Sequence, residues 1–145
     1  MLAQRLVRLL CPHCKQVDTT PTARDYKIKI GLKPDAVVYR AVGCRECRQT
    51  GYHGRRAIFE WMDSSNEIRA LILKNASTDA IRDAACRAGM RTLAEDGRRL
   101  VQEGVTTIEE VLSVTTVHEM TSADAANNHA PVAPPVAAAL PRALI

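Results

Sequence analysis

At 145 residues the chain is one modest domain, or one domain with a tail, and its aromatic content of 3% leaves Leu, Ile, Val and Ala to build any core. Such a core is thin for its length, the situation in which a bound metal contributes folding energy directly. The formal net charge of +4 is too mild to imply nucleic acid by itself. No apolar run approaches the roughly 20 residues of a membrane span, and Arg5 and Arg8 interrupt the N-terminal stretch that a signal peptide would need to keep apolar.

In chain order, Leu2, Leu6, Leu9 and Leu10 recur at helical spacing, with Gln4, Arg5 and Arg8 opposite, which predicts a short amphipathic helix over residues 1–10 ending at Pro12. Thr19 to Pro34 is polar, with an alternation Tyr26-Lys-Ile-Lys-Ile30 that fits strand or helix. Ala36 to Val42 and Ala57 to Met62 read as strands. In the second, Phe59 and Trp61 share one face and are expected to pack against the cysteine-rich region. From Ser64 the pattern turns helical. Ser64-Ser-Asn-Glu67, Ser77 or Thr78, Thr92-Leu-Ala-Glu95 and Thr107-Ile-Glu-Glu110 open four helices, and Gly89 and Gly104 close the second and third. Beyond about Val117 the Ala/Pro composition is that of a disordered tail.

The chemistry concentrates in Cys11-Pro-His-Cys14 and Cys44-Arg-Glu-Cys47. Two residues between cysteines is the spacing of a zinc knuckle, and two knuckles supply the four thiolates of a closed tetrahedral site. The 29 residues between Cys14 and Cys44 exceed the usual spacer, so an inserted hairpin or helix must fill the gap. A redox pair would need one such motif at a helix start, and two disulfides would need an exporting context; neither fits as well. His13 and His53 are alternative ligands, expected to stand outside the first coordination sphere. Cys86, far from both knuckles in sequence, reads as a half-buried small apolar residue.

These residues resemble the secretion and pilus-assembly ATPases of type II secretion and type IV pilus systems. The resemblance lies in Leu2 to Cys14, in Tyr39 to Arg55 with Ile58 and Glu60, and in Gly89 to Leu93, Glu95 to Gly97 and Gly104 to Thr115. It implies a zinc-binding tetracysteine region and C-terminal helices from a bacterial protein that hydrolyses ATP with Mg²⁺ as a hexamer. In such a parent the chain would sit at the cytoplasmic face of the inner membrane and meet the platform proteins of a secretion or pilus machine. No Gly-x-x-x-x-Gly-Lys-Ser/Thr occurs here, so no nucleotide site is expected and the chain is expected to be inactive alone. The implied organisation is a helix over 1–10 leading out of the ATPase core, a zinc subdomain over 11–63, helices over 64–116 and a tail over 117–145.

The fold class expected is α+β, mainly α: a small zinc-stabilised knuckle element followed by a small helical bundle. The sites expected are Cys11, Cys14, Cys44 and Cys47 for zinc, with no catalytic residue. The competing reading is a nucleic-acid-binding zinc ribbon, in which Arg45, Arg48, Arg55 and Arg56 meet phosphates. Against it, a doubly negative metal–thiolate centre gives those arginines a reason to cluster without any ligand, and aromatics for base stacking are few.

Overall fold

The computed structural model describes residues 1–115. Its frame is an antiparallel ribbon of β1 (Leu2–Leu10) and β4 (Tyr52–Trp61), paired from Leu2 opposite Trp61 to Leu10 opposite Tyr52, with a bulge between Arg8 and Leu10. Between these strands lie β2 (Gln16–Val17), α1 (Pro21–Lys29) and β3 (Tyr39–Arg40), with β2 and β3 forming a minimal second sheet. After β4 come α2 (Asn66–Leu73), α3 (Thr78–Arg87), α4 (Leu93–Gln102) and α5 (Ile108–Val114). The class is α+β, with five helices and two small antiparallel sheets among the described residues. The Ala/Pro-rich tail lies outside the described residues.

The helix starts follow their side chains. Thr20, Ser65, Ser77, Thr92 and Thr107 each accept a hydrogen bond from the amide three residues on, relieving one of the unpaired donors that every helix start presents. At α4 the bond is reciprocal, with Glu95 accepting from the Thr92 amide at 2.9 Å.

Three small cores hold these pieces. Val7 and Ile58 on the inner face of the ribbon pack with Leu93 and Leu100 of α4. Ala23, Ile30, Leu32 and Val38 of the inserted segment pack with Ala94 and Val101 of α4 and Ile108 and Val111 of α5. Ile68 of α2 packs with Ala84 and Ala85 of α3. Helices α4 and α5 therefore share their cores with residues on both sides of the knuckles, whereas α2 and α3 close largely on themselves.

Two expectations give way here. Residues 2–10 are a strand, because the leucine spacing that suits a helix is overridden by pairing with β4, about 50 residues away in sequence, which no local window can detect. The outer edge of β1 is also occupied at its knuckle end, at Arg8 and Leu10. Glu110 accepts from the Arg8 amide at 3.0 Å, the Thr106 hydroxyl donates to the Arg8 carbonyl at 2.8 Å, and the Leu10 amide donates to the Val105 carbonyl at 2.8 Å. The second correction concerns Phe59 and Trp61. They share a face as expected, but that face points outward and both are exposed, while Ile58, just before Phe59 on the opposite face, is buried. The strand expected over Ala36 to Val42 shortens to Tyr39–Arg40, and the ambiguous Tyr26 to Ile30 stretch belongs to α1 and its C-cap.

Gly97 in mid-α4 costs about 1 kcal/mol of helix propensity relative to Ala. Its presence is explained by contact, since a Cβ there would stand 2.5 Å from a Val111 methyl. Gly97→Ala should therefore destabilise the chain by about 1–3 kcal/mol despite the better helix former. Adding Val111→Ala should recover part of that loss relative to Val111→Ala alone, a coupling that a double-mutant cycle of thermal melts would measure.

Candidate metal centre

The ribbon carries the two knuckles at one end. Where β1 finishes, the Cys11 amide donates to the Gly51 carbonyl at 2.9 Å, bringing the first knuckle beside the residues that follow the second. The first knuckle is a turn in which the Lys15 amide donates to the Cys11 carbonyl at 3.0 Å. The second runs through Arg48 and Gln49, both left-handed at φ 53° and 64°, which lets the Gln49 amide reach the Cys44 carbonyl at 2.8 Å. Left-handed backbone outside glycine costs roughly 1–2 kcal/mol per residue, so this turn needs neighbours that hold it. Gly51 supplies the next left-handed position at φ 76°, where a Cβ would stand 2.6 Å from that of Ala41.

Four sulfurs converge as a result. Cys11, Cys14, Cys44 and Cys47 place their Sγ atoms within 4.8 Å of one another, with Cys11–Cys44 at 3.9 Å, Cys14–Cys47 at 3.8 Å and Cys44–Cys47 at 3.7 Å. A disulfide would need about 2.05 Å. A regular tetrahedron with metal–sulfur bonds of about 2.3 Å has edges of about 3.8 Å, so the donor set fits a tetrathiolate zinc or a similar soft ion. Backbone amides complete the setting: Gly43 donates to Cys14 Sγ at 3.3 Å, and Cys44 and Gly51 donate to Cys47 Sγ at 3.2 and 3.1 Å. Such donors stabilise thiolate charge and orient the ligands.

The same contacts order the deprotonation of the metal-free cluster. Burial opposes charge on Cys47, but the Cys44 and Gly51 amides, helped by the Cys44 and Cys14 thiols, outweigh it and bring Cys47 down to about 6. Cys14 moves the other way, to about 11, chiefly through burial, which its Gly43 amide opposes and its sulfur neighbours reinforce. The surroundings thus favour thiolate charge on Cys47 over Cys14, and metal binding would be linked to proton release.

The remaining sequence candidates fall outside the cluster. His13 and His53 are exposed, as are Arg45, Arg48, Arg55 and Arg56, and none contributes a ligand atom to the four-sulfur group. Cys86 is half-buried in α3, and burial, then nearby Glu95, Glu60 and Asp83, push its thiol up.

Sequence reasoning missed the ties between this centre and the helices. Lys15, one residue past the first knuckle, donates to the Gly104 carbonyl at 2.8 Å and lies 4.7 Å from the centre of the Tyr39 ring. Gly104 is left-handed at φ 65°, and a Cβ on it would meet that ring at 2.7 Å. Tyr52, one residue past Gly51, is hydrogen-bonded through its hydroxyl to Thr107 at 3.1 Å, and the Arg8 guanidinium covers its ring at 4.1 Å. Arg8 also donates through Nε to Glu110 at 3.0 Å, which holds that carboxyl below its ordinary range. No sequence motif marks Lys15 or Tyr52 for these roles. Their adjacency to the knuckles is the sole signal.

Residues 1–113 match the Type II/IV secretion system protein family. The chain belongs to that family. It is 43% identical over 115 residues to the type II secretion system protein HxcR of Pseudomonas aeruginosa, covering 79% of this chain and 21% of that protein. It is 41% identical over 119 residues to the type IV pilus assembly ATPase PilB of Thermus thermophilus, covering 79% of this chain and 13% of that one. The type II secretion system protein E of Pseudomonas aeruginosa is 42% identical over 115 residues, 79% of this chain and 23% of its own length. The chain thus spans less than a quarter of the length of these relatives.

Protein purified from reducing medium should carry close to one zinc per chain. Cys47→Ser should lose most of it, because that sulfur is buried in the cluster and accepts from two backbone amides. Since protons compete for the ligands, apparent zinc affinity should fall with pH, more steeply below about 6, where Cys47 must also be deprotonated. Elemental analysis and a competition titration with a chromophoric chelator read both effects; zinc-free protein that is folded and reduced would overturn the assignment.

Proposed function

We propose that this chain is the structural zinc module of a secretion or pilus-assembly ATPase, a rigid docking element rather than a catalytic one. The observation that carries the reading is the convergence of four sulfurs within 4.8 Å of one another, three of their separations being 3.7 to 3.9 Å, tied to the α4–α5 joint through Lys15 and Tyr52. In this role the metal would stiffen a loop-rich segment whose own cores are too small to do so. Zinc here would be structural, so it would supply folding energy and no reaction step. ATP and Mg²⁺ would be handled by the P-loop core of a parent hexamer, and the module would pass the resulting motion to an inner-membrane platform protein at the cytoplasmic face. Among the described residues no helix is long and apolar enough to cross a membrane.

The nucleic-acid reading keeps one observation in its favour, the four exposed arginines near the second knuckle. The exposed aromatics, Phe59 and Trp61, stand far along β4 from the Tyr52 end that adjoins the knuckles, so no stacking platform accompanies that charge.

Metal removal tests the module. With a strong chelator under reducing conditions, amides of the knuckles, α1 and β3 should lose hydrogen-exchange protection first, and α5 should weaken with them because it shares their core. Helices α2 and α3 should keep most of theirs. Calorimetric titration of the zinc-loaded chain into the cytoplasmic domain of a platform protein should show binding that the stripped chain lacks. Equal binding by both forms, or tighter binding to single-stranded DNA than to the platform domain, would overturn the docking reading.

A further inference from the structure

The four cysteines of the metal centre differ in access and in what holds their sulfurs. Cys11 and Cys47 are buried, at 1% and 5% exposure, whereas Cys14 and Cys44 are half-exposed. Each knuckle thus contributes one buried and one half-exposed cysteine. Amide donors are divided another way. Cys14 Sγ accepts from Gly43 at 3.3 Å, and Cys47 Sγ accepts from Cys44 and Gly51 at 3.2 and 3.1 Å. Among the described residues no backbone amide donates to the sulfur of Cys11 or Cys44, which stand 3.9 Å apart across the two knuckles. Cys44 is therefore the one cysteine of the four that water reaches and no amide holds.

We propose that Cys44 is a site of oxidative modification, at which hydrogen peroxide converts the metal centre into a Cys11–Cys44 disulfide bridging the two knuckles. The inference rests on the proposed function in one respect, that the four cysteines hold a structural metal. A thiolate stabilised by its surroundings is a weaker nucleophile than one that is not. Cys44 therefore reacts first. Its sulfur attacks one peroxide oxygen, the O–O bond breaks, hydroxide leaves, and Cys44 becomes a sulfenic acid. A second thiolate then displaces hydroxide from the Cys44 sulfur. Cys47 at 3.7 Å and Cys11 at 3.9 Å are both within reach. Cys47 is held by two amides and Cys11 by none, so Cys11 is the stronger attacking group and closes to a bond of about 2.05 Å. Two thiolates and one hydrogen peroxide thus give one disulfide and two hydroxide ions.

Cys14 and Cys47 then remain as half of the tetrahedral set, and the metal is released. The new bond spans the 33 positions that separate Cys11 from Cys44. It keeps the end of β1 joined to the second knuckle, and so keeps both ends of the inserted segment together. Lys15 and Tyr52, which reach Gly104 and Thr107, stand beside those same two knuckles. A Cys44–Cys47 bond would span only 3 positions and leave the knuckles unlinked. Closing a long loop covalently restrains the unfolded chain far more than closing a short one. Oxidation at Cys11 and Cys44 therefore exchanges a metal staple for a covalent one, whereas chelation under reducing conditions leaves neither.

The test starts from the zinc-loaded full chain carrying Cys86→Ser, so that no thiol outside the centre takes part. Hydrogen peroxide is added in modest excess with a chromophoric chelator present. Remaining thiols are alkylated, and disulfides are mapped by proteolysis and mass spectrometry. One zinc should be released for each Cys11–Cys44 bond formed, with Cys14 and Cys47 alkylated in the early product. Dimedone, which traps sulfenic acids, should label Cys44 about threefold or more over Cys14. The oxidised, zinc-free chain should melt roughly 5 °C or more above the chelated, reduced one, and dithiothreitol with zinc should restore the starting state. The unsubstituted chain should give the same map, with Cys86 alkylated. An early Cys44–Cys47 or Cys14–Cys47 product, dimedone chiefly on Cys14, or zinc retained in full as peroxide is consumed overturns the proposal and leaves the zinc module standing. A chain that is folded, reduced and zinc-free from the outset overturns the module, and the proposal with it.

Discussion

The pairing of β1 with β4 is the constraint on which the rest depends. Two strands some 50 residues apart meet along their whole length, and only this alignment brings Cys11 and Cys14 beside Cys44 and Cys47. The closure entropy of so long a loop must be offset by what the ribbon gathers. The gains are modest individually: a ladder of backbone bonds, two buried side chains against α4, and amides that find partners in Glu110 and Asp96. A two-stranded ribbon by itself is marginal in water. Its stability comes from the covering helix on one face and the metal-ready turn at one end.

Much of this arrangement was legible in advance. The caps at Thr92 and Thr107 and the stop at Gly104 are local chemistry, so a few residues of sequence determine them. Knuckle spacing is local as well, since two intervening residues place a pair of sulfurs on one turn, and the four-cysteine cluster is the meeting of two such turns. The ribbon was not legible in this way. Leu2, Leu6, Leu9 and Leu10 satisfy a helical period by themselves, and the identity of β1 is decided by a partner strand that no window includes. Phe59 and Trp61 misled for a related reason. Alternation assigns residues to faces, but the choice of which face is covered belongs to tertiary packing. Nor could any pattern find Lys15 at the Gly104 carbonyl, because a single long cation reaching a helix end has no spacing to recognise.

The inserted segment between the knuckles shows how a small metal centre can influence helices distant in sequence. Ala23, Ile30, Leu32 and Val38 are held near α4 and α5 by a loop whose two ends are the two knuckles. If the sulfurs separate, that loop gains freedom, and its apolar contacts must then be maintained against a larger entropy cost. Lys15 and Tyr52 lie at the two ends of the same loop and contact Gly104 and Thr107 in the α4–α5 joint. The chelated and metal-bound states would therefore differ in the angle and firmness of that joint more than in the composition of any core.

This placement also explains why a thin-cored chain would retain four cysteines rather than a larger apolar patch. A hydrophobic core resists deformation only in proportion to its packing, and here three separate clusters of three to eight buried residues share the work. A tetrahedral thiolate centre fixes four points of backbone at defined distances while occupying little volume. Placed at the end of a ribbon, such a centre would tie the Cys11 and Gly51 ends of the strands to the inserted segment. The ribbon has α4 packed behind its inner face and the four-cysteine cluster at one end.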